Sequence, residues 1–320
     1  MLRYIVRRVL WGILMLAIVS AVVFVIFYVF PSADPAALRA GRNASPAQVN
    51  AIRHSLGLDQ PVYVQYYDYM KGIVLHFDFG YSFRSNADVR TLILDRLPAT
   101  IWLVTGAAIL WLAMGIPVGI ISAVKRRSVL DRTTMVTSLA FISAPVFWLG
   151  LVALYLFAQD VGVIHIFPGI GSFASATTVS EKVASMLLPW IVLAAASAAI
   201  YARYLRSSMI DVMSEDYIRT ARAKGLTERR VIMHHGVRSA ITPIITLLGL
   251  DIGVLLAGNA ILTETVFNIP GVGRLVYTAI QTSDLPVIQG VTLFGAFFII
   301  FFNLVVDIAY AYLDPRVRYQ

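Results

Sequence analysis

The 320-residue chain has no cysteine, and only 14% of its residues carry charge. A soluble domain is about half apolar and about a quarter charged; here 58% of residues are hydrophobic and mean hydropathy is +0.76. The missing cysteine excludes a disulfide-stapled secreted module. The missing charge excludes a soluble enzyme or a disordered tail as a description of the whole chain. Lysine is scarce as well: Lys71, Lys125, Lys182 and Lys224 are followed by Gly, Arg, Val and Gly. A phosphate-binding P-loop needs Lys followed by Ser or Thr, so any nucleotide hydrolysis must come from another chain. The histidines, His54, His76, His165, His234 and His235, do not form the His-Glu-x-x-His pair of a helical metalloprotease. We therefore expect no catalytic residues, no metal site and no cofactor in this chain.

What the chain has in abundance is long apolar runs. About 20 apolar residues cross a bilayer as a helix. Charge-free runs cover 9–30, 100–124, 133–159, 183–202 and 285–306, and a sixth, 239–263, is interrupted only by Asp251. The runs are continuous rather than alternating, which excludes a barrel. Pro117, Pro145, Pro189 and Pro243 fall inside them, where neighbouring helices of a packed bundle can satisfy the freed carbonyls. The first run exceeds a signal-peptide core and lacks a small-x-small cleavage site before Pro31, so it reads as a retained span. The fold class is an all-α polytopic membrane protein with six transmembrane helices.

Charge then sets the orientation. With the N-terminus inside, the inside segments hold 17 of the 26 basic residues against six acids, and the outside segments hold nine basic and ten acidic residues. Such asymmetry follows the positive-inside bias. It accounts for the net charge of +8 through topology and membrane lipid, with no need for nucleic acid. Both termini are expected in the cytoplasm, the chain being a multi-pass membrane protein.

The chain divides into an N-terminal helix (1–30), an extracytoplasmic insert (31–98), a five-helix core (99–313) with an inside loop at 203–238, and a tail (314–320). In the insert, Ser45–Pro46 reads as N-cap and N1 of a helix, and the aromatic pairs Tyr66–Tyr67 and Phe77–Phe79 are expected to pack on the bundle or the membrane surface. Asn43–Ala44–Ser45 is a short sequon match of little weight. In the inside loop, Ser214 reads as the cap of an amphipathic helix ended by Gly225, with a second helix from Thr227 to His235. Such an elbow is either a partner surface or a basic loop on anionic lipid. Asp251, between Gly249 and Gly253, either lines a polar path or bonds across helices. Asp307, near the inside end, reads as an anchor or ion pair.

The segment Asp216-Tyr-Ile-Arg-Thr-Ala-Arg-Ala-Lys-Gly-Leu226 resembles the EAA-type coupling loop of ATP-binding-cassette importer permeases, in its peptide-permease form. Leu56-Gly-Leu-Asp-Gln-Pro61, Gly80-Tyr-Ser-Phe83, Arg96-Leu-Pro-Ala-Thr100 and Glu264-Thr-Val-Phe-Asn-Ile-Pro-Gly-Val-Gly-Arg-Leu275 are similar to other signatures of that branch, in the same order and nearly along the whole chain. Two departures stand out: Arg219 and Thr220 replace the Glu-Ala of the general motif, and His235-Gly-Val-Arg238 replaces the downstream Ile-x-Leu-Pro. The resemblance implies a permease subunit of a binding-protein-dependent importer for di- or oligopeptides, with nickel chelates or oligosaccharides as alternative cargo and a self-contained secondary transporter as the reading from another class. It implies four kinds of partner: a second homologous permease forming the other half of the pore, two cytoplasmic ATPase subunits carrying ATP and Mg, an extracytoplasmic substrate-binding protein, and lipid. By the same resemblance the chain sits in a bacterial or archaeal inner membrane, Asp216, Arg219, Thr220, Ala221, Ala223, Lys224, Gly225 and Leu226 contact the ATPase, and Pro270, Gly271 and Gly273 shape the outer loop; Asp251 and Glu264 are expected on the translocation path.

Overall fold

The computed structural model describes residues 2–29, 34–41, 44–82 and 84–313. Asn43 of the sequon, Phe83 of the insert motif and the 314–320 tail lie outside the described residues. Helix α1 (Leu2–Phe24) continues through a π-helical turn at Val25–Val29. Three short helices follow: α2 (Pro35–Ala40), α3 (Pro46–Ser55) and α4 (Val62–Lys71). Ser45 caps α3 as expected: its hydroxyl accepts from the Gln48 amide while the Gln48 side chain accepts from the Ser45 amide, with Pro46 at the first helical position. Asp34 caps α2 and pairs with Arg53 of α3. A two-residue hairpin, β1 (Tyr81–Ser82) and β2 (Ala87–Asp88), pairs Ser82 with Ala87 and closes the insert.

The core begins with α5 (Val89–Val124), which starts well before its apolar run and carries Pro98 and Pro117 internally. Next come α6 (Val129–Ser143) and α7 (Val146–Phe157), α8 (Ser172–Ser175) and the 34-residue α9 (Val179–Val212). Helices α10 (Asp216–Ala223), α11 (Glu228–Arg230) and α12 (Val237–Ala240) form a projecting arm, with π-helical turns at Val231–Gly236. Helix α13 (Thr242–Val254) runs into further π turns (Leu255–Asn259), then α14 (Ile261–Val266), α15 (Val272–Thr282) and α16 (Leu285–Leu313) complete the chain.

Among the described residues five helices are long and apolar enough to cross a membrane, and six spans result when α6 and α7 count as one. These two meet at 100°, so the third run is a broken span rather than a straight helix. The cause is local. Ala144 precedes proline and takes extended backbone (φ −84°, ψ 127°), and Pro145 restarts the helix as α7.

Helices α5 and α9 form the centre of the bundle. Lipid is as apolar as a leucine side chain, so close packing rather than exclusion of water holds such a pair together. Gly115 and Gly119 allow it: a Cβ on either would lie 2.9 or 2.8 Å from the Ala198 or Ala202 carbonyl oxygen of α9. Trp190 fills the space beside Gly106 and donates from Nε1 to the Trp102 carbonyl at 2.9 Å. On the periphery, Phe24 of α1 meets Tyr66 of α4 edge-on, Phe24 and Tyr28 of the following π turn pack tilted against Tyr69, and Ser20 bonds Tyr66 at 3.0 Å. Of the aromatic pairs expected to pack, Tyr66 and Phe79 do, whereas Tyr67 and Phe77 stay exposed. Asp307 forms the expected ion pair, with Arg8 at 3.2 Å. The spans alternate in direction, leaving an insert end with α2–α4, α14 and α15, and an arm end with α10–α12.

Candidate functional site

The arm is built directly on α9. That helix runs ten residues past its apolar segment to Val212 before the chain turns at Met213–Glu215. The expected Ser214 cap is not formed: its hydroxyl bonds back to the Asp211 carbonyl, and Glu215, with extended backbone, occupies the cap position of α10. Helix α10 is amphipathic. Ile218 and Ala221 face inward onto Val231, with Met213 and Leu226 around them, while Asp216, Arg219, Thr220, Ala223 and Lys224 are exposed. Asp216 and Arg219 pair at 3.3 Å, both in water, where such pairs add little.

Gly225 ends α10 as the sequence indicates. It sits at φ +77°, its amide bonds the Arg222 carbonyl and the Leu226 amide bonds the Ala221 carbonyl. This is a Schellman turn with its apolar contact between Leu226 and Ala221. Nothing lies within 4 Å of where a Cβ on Gly225 would sit, so the glycine answers to backbone conformation, not crowding. Thr227 then starts α11, again as expected, and Arg222 grips Glu228 across the elbow through two hydrogen bonds of 3.1 and 2.8 Å. The guanidinium holds the Glu228 carboxyl below the usual glutamate range. Helicity continues past His235 through π turns into α12, whose Ala240 carbonyl accepts from Ser208 of α9 at 3.0 Å.

One feature at the root of the arm had no signal in the sequence. Arg206 of α9 clasps Asp131 of α6 with both nitrogens, at 2.7 and 2.8 Å. Asp131 also accepts from Ser122 of α5 and from the Arg127 amide. It is almost fully buried, so three helices meet on one carboxylate. The partners are 75 and nine residues apart, and local pattern cannot pair them.

Asp251 lies in the last turn of α13 and accepts from the Tyr201 hydroxyl of α9 at 2.7 Å; Tyr201 in turn rests on Trp111. Gly249 and Gly253 face Val306 and Phe302 of α16. Glu264, placed with Asp251 on the path by the sequence, has no exposed surface in this conformation. Its carboxylate accepts from Thr100 at 2.7 Å and from the Arg274 amide at 2.8 Å, and Thr100 also accepts from the Val272 amide at 2.9 Å. It therefore caps the N-terminus of α15, whose unpaired amides and dipole favour an anion. Burial pushes its carboxyl above the ordinary range, against the pull of these donors. Gly271 and Gly273 leave it room: a Cβ on Gly271 would lie 2.2 Å from the carboxylate, and one on Gly273 2.6 Å from the Gly258 carbonyl. Pro270 precedes them, half-buried. Among the described residues no group of three His, Cys, Asp or Glu side chains is placed to hold a metal ion.

This geometry, a membrane bundle with an exposed helical arm at one end and a helical insert at the other, agrees with the family comparison. Residues 115–319 match the family described as binding-protein-dependent transport system inner membrane component, and residues 1–104 match its N-terminal counterpart. The chain belongs to this family. Over all 320 residues of both chains it is 40% identical to the glutathione transport system permease protein GsiC of Escherichia coli (strain K12), and 40% identical over the same full length to those of Shigella dysenteriae serotype 1 and Salmonella typhi. It is thus a multi-pass permease subunit of an ATP-binding-cassette importer, working with ATPase and binding-protein partners in an inner membrane.

Proposed function

We propose that this permease imports short peptides, and that α10 with Gly225 is where a cytoplasmic ATPase subunit grips it. The observation that carries the reading is the exposed face of α10, with Asp216, Arg219, Thr220, Ala223 and Lys224 on a helix rooted in the longest spans of the core. Ala221 and Leu226 support that face from beneath. In this reading the arm end and both termini are cytoplasmic, ATP and Mg are bound by the two ATPase subunits, and a second, similar permease supplies the other half of the pore. Closure of the ATPase pair moves the arm as a rigid body, and the bundle rocks between outward and inward access. The binding protein delivers cargo at the insert end. The glutathione named for the relatives is a tripeptide, which favours short peptides over nickel chelates or oligosaccharides. Asp251 is proposed to border the path from its bond with Tyr201, while Glu264 with Pro270, Gly271 and Gly273 holds the outer loop closed around α15.

The test is reconstitution with candidate ATPase subunits and binding protein in proteoliposomes. ATP-dependent uptake of a labelled tripeptide is expected, and a charged replacement, Gly225→Asp, should leave membrane insertion intact while abolishing ATPase association or uptake. Wild-type uptake by that variant would refute the arm's role. Solute accumulation by the chain alone, driven by an ion gradient, would refute the whole reading.

A further inference from the structure

One face of α9 has no packing partner among the described residues. Ile200, Arg203, Tyr204 and Ser207 occupy successive turns, all exposed, and with Ile142 of α6 they line an open cleft of about 380 Å³. The other faces of the same turns are occupied: Ala202 and Leu205 pack on Gly119 of α5, Tyr201 bonds Asp251, and Arg206 is taken by Asp131. Arg203 differs from Arg206 in that, among the described residues, no carboxylate pairs with it. It follows directly on the charge-free stretch of α9, as the first residue of the inside segment. It stays charged at any working pH, and its planar fork matches a carboxylate bidentately. The Tyr204 and Ser207 hydroxyls are further donors on the same wall. The volume is within the usual range of small-molecule sites, about 300 to 1,000 Å³.

We propose that this cleft is an anion site on the cargo path, in which Arg203, aided by Tyr204 and Ser207, receives the C-terminal carboxylate of a passing peptide. The proposal rests on the peptide-import reading above. Every short peptide presents that carboxylate whatever its side chains, so a single fixed cation can serve cargo of varied sequence while selection stays with the binding protein.

The experiment compares initial ATP-driven uptake of one tripeptide with its C-terminal amide, in proteoliposomes of the full transporter with saturating binding protein. The binding protein's own preference enters the acid-to-amide ratio equally for wild type and variant, so it cancels between them. Arg203→Gln is expected to lower that ratio about tenfold, the size of one lost charge-assisted contact of about 1.4 kcal/mol. Arg203→Lys should fall between, and complex assembly and amide-stimulated ATP hydrolysis should not change. A ratio within twofold of wild type in Arg203→Gln would overturn the site. The lipid source is separated by repeating the assay with and without phosphatidylglycerol. A defect seen only with that lipid, and equal for both peptides, assigns the guanidinium to a headgroup phosphate and also overturns it. If wild type takes up neither peptide, peptide cargo itself is refuted, an outcome visible without any Arg203 variant.

Discussion

Both ends of the bundle turn the chain through a short helix, a glycine and a second helix, yet they are fastened in opposite ways. At the insert end the turn from α14 to α15 closes on the fully buried Glu264, whose bonds to Thr100 and the Arg274 amide are all internal. At the arm end the turn from α10 to α11 closes on a cluster of three buried apolar side chains, Ile218, Ala221 and Val231, and on ion pairs open to water. The first loop is complete within its own chain. The second keeps a polar helical face free and relies for rigidity on its root, where Asp131 binds Arg206 and Ser122. The same motif thus gives a closed loop at one end and an open polar face at the other, by difference in burial.

The largest expected effect comes from removing the root. Asp131→Ala leaves the Arg206 guanidinium, about three-quarters buried, without its carboxylate; losing one partner of a buried pair costs about 3 to 5 kcal/mol. A fall in thermal midpoint in detergent and loss of ATP-driven uptake are expected together. Because Asp131 joins α5, α6 and α9, uptake should fail even in molecules that remain folded. Retained coupling in a folded Asp131→Ala transporter would show that the root does not transmit the arm's movement.

The insert-end loop is next. Glu264→Ala strips the acceptor from the Thr100 hydroxyl and the Arg274 amide, each buried donor costing about 1 to 3 kcal/mol when left unpaired. Thermal stability should fall, and exchange protection over 261–275 should drop while that of 216–236 holds. Equal loss at both ends would deny that the two loops are independent. Glu264→Gln keeps an acceptor oxygen and should lose much less.

How much of this contrast was legible follows from the range of each interaction. Gly225 and Thr227 could be read because a helix end at glycine and a helix start are local, and Ser45–Pro46 because a cap and the proline after it are adjacent; the Gln48 half of the capping box came only with the structure. Ser214 misled for a local reason: its hydroxyl found the Asp211 carbonyl, and Glu215 took the extended conformation of the cap. The bend between α6 and α7 was hidden because an unbroken apolar run has no periodicity to interrupt; only the Ala144–Pro145 pair marked it. The capping role of Glu264 was not legible because its partner Thr100 is 164 residues away, and nothing local announces that a carboxylate will cap a helix. The span count, read from whole apolar runs, needed none of these contacts.

A smaller effect is expected at the elbow itself. Gly225→Val places a β-branched residue at φ +77°, a conformation costing an L residue about 1 to 2 kcal/mol. With no atom near the new side chain, overall stability should change by no more than that, while ATPase association should weaken several-fold in a pull-down. A comparable loss of midpoint to Asp131→Ala would place the elbow in the folding core, contrary to the contrast drawn here.

The finest test uses pH, because the two ends carry carboxyls shifted in opposite directions. Burial raises the Glu264 carboxyl, so the folded protein holds that proton more tightly than the unfolded chain. Its contribution to stability is therefore full in acid and declines as pH rises through the ordinary glutamate range towards the raised value. Arg222 lowers the Glu228 carboxyl, so its contribution is full above the ordinary range and is lost as pH falls through the lowered value. Acidification should consequently loosen the arm and firm the insert-end loop. Exchange protection factors, corrected for intrinsic rate, should rise over 261–275 between neutral and mildly acid solution, and fall over 222–236 only on further acidification below the ordinary glutamate range. Glu228→Gln should remove the first trend and Glu264→Gln the second; a parallel change at both ends would mean that a common, global opening governs exchange and that the two turns do not differ in how they are fastened.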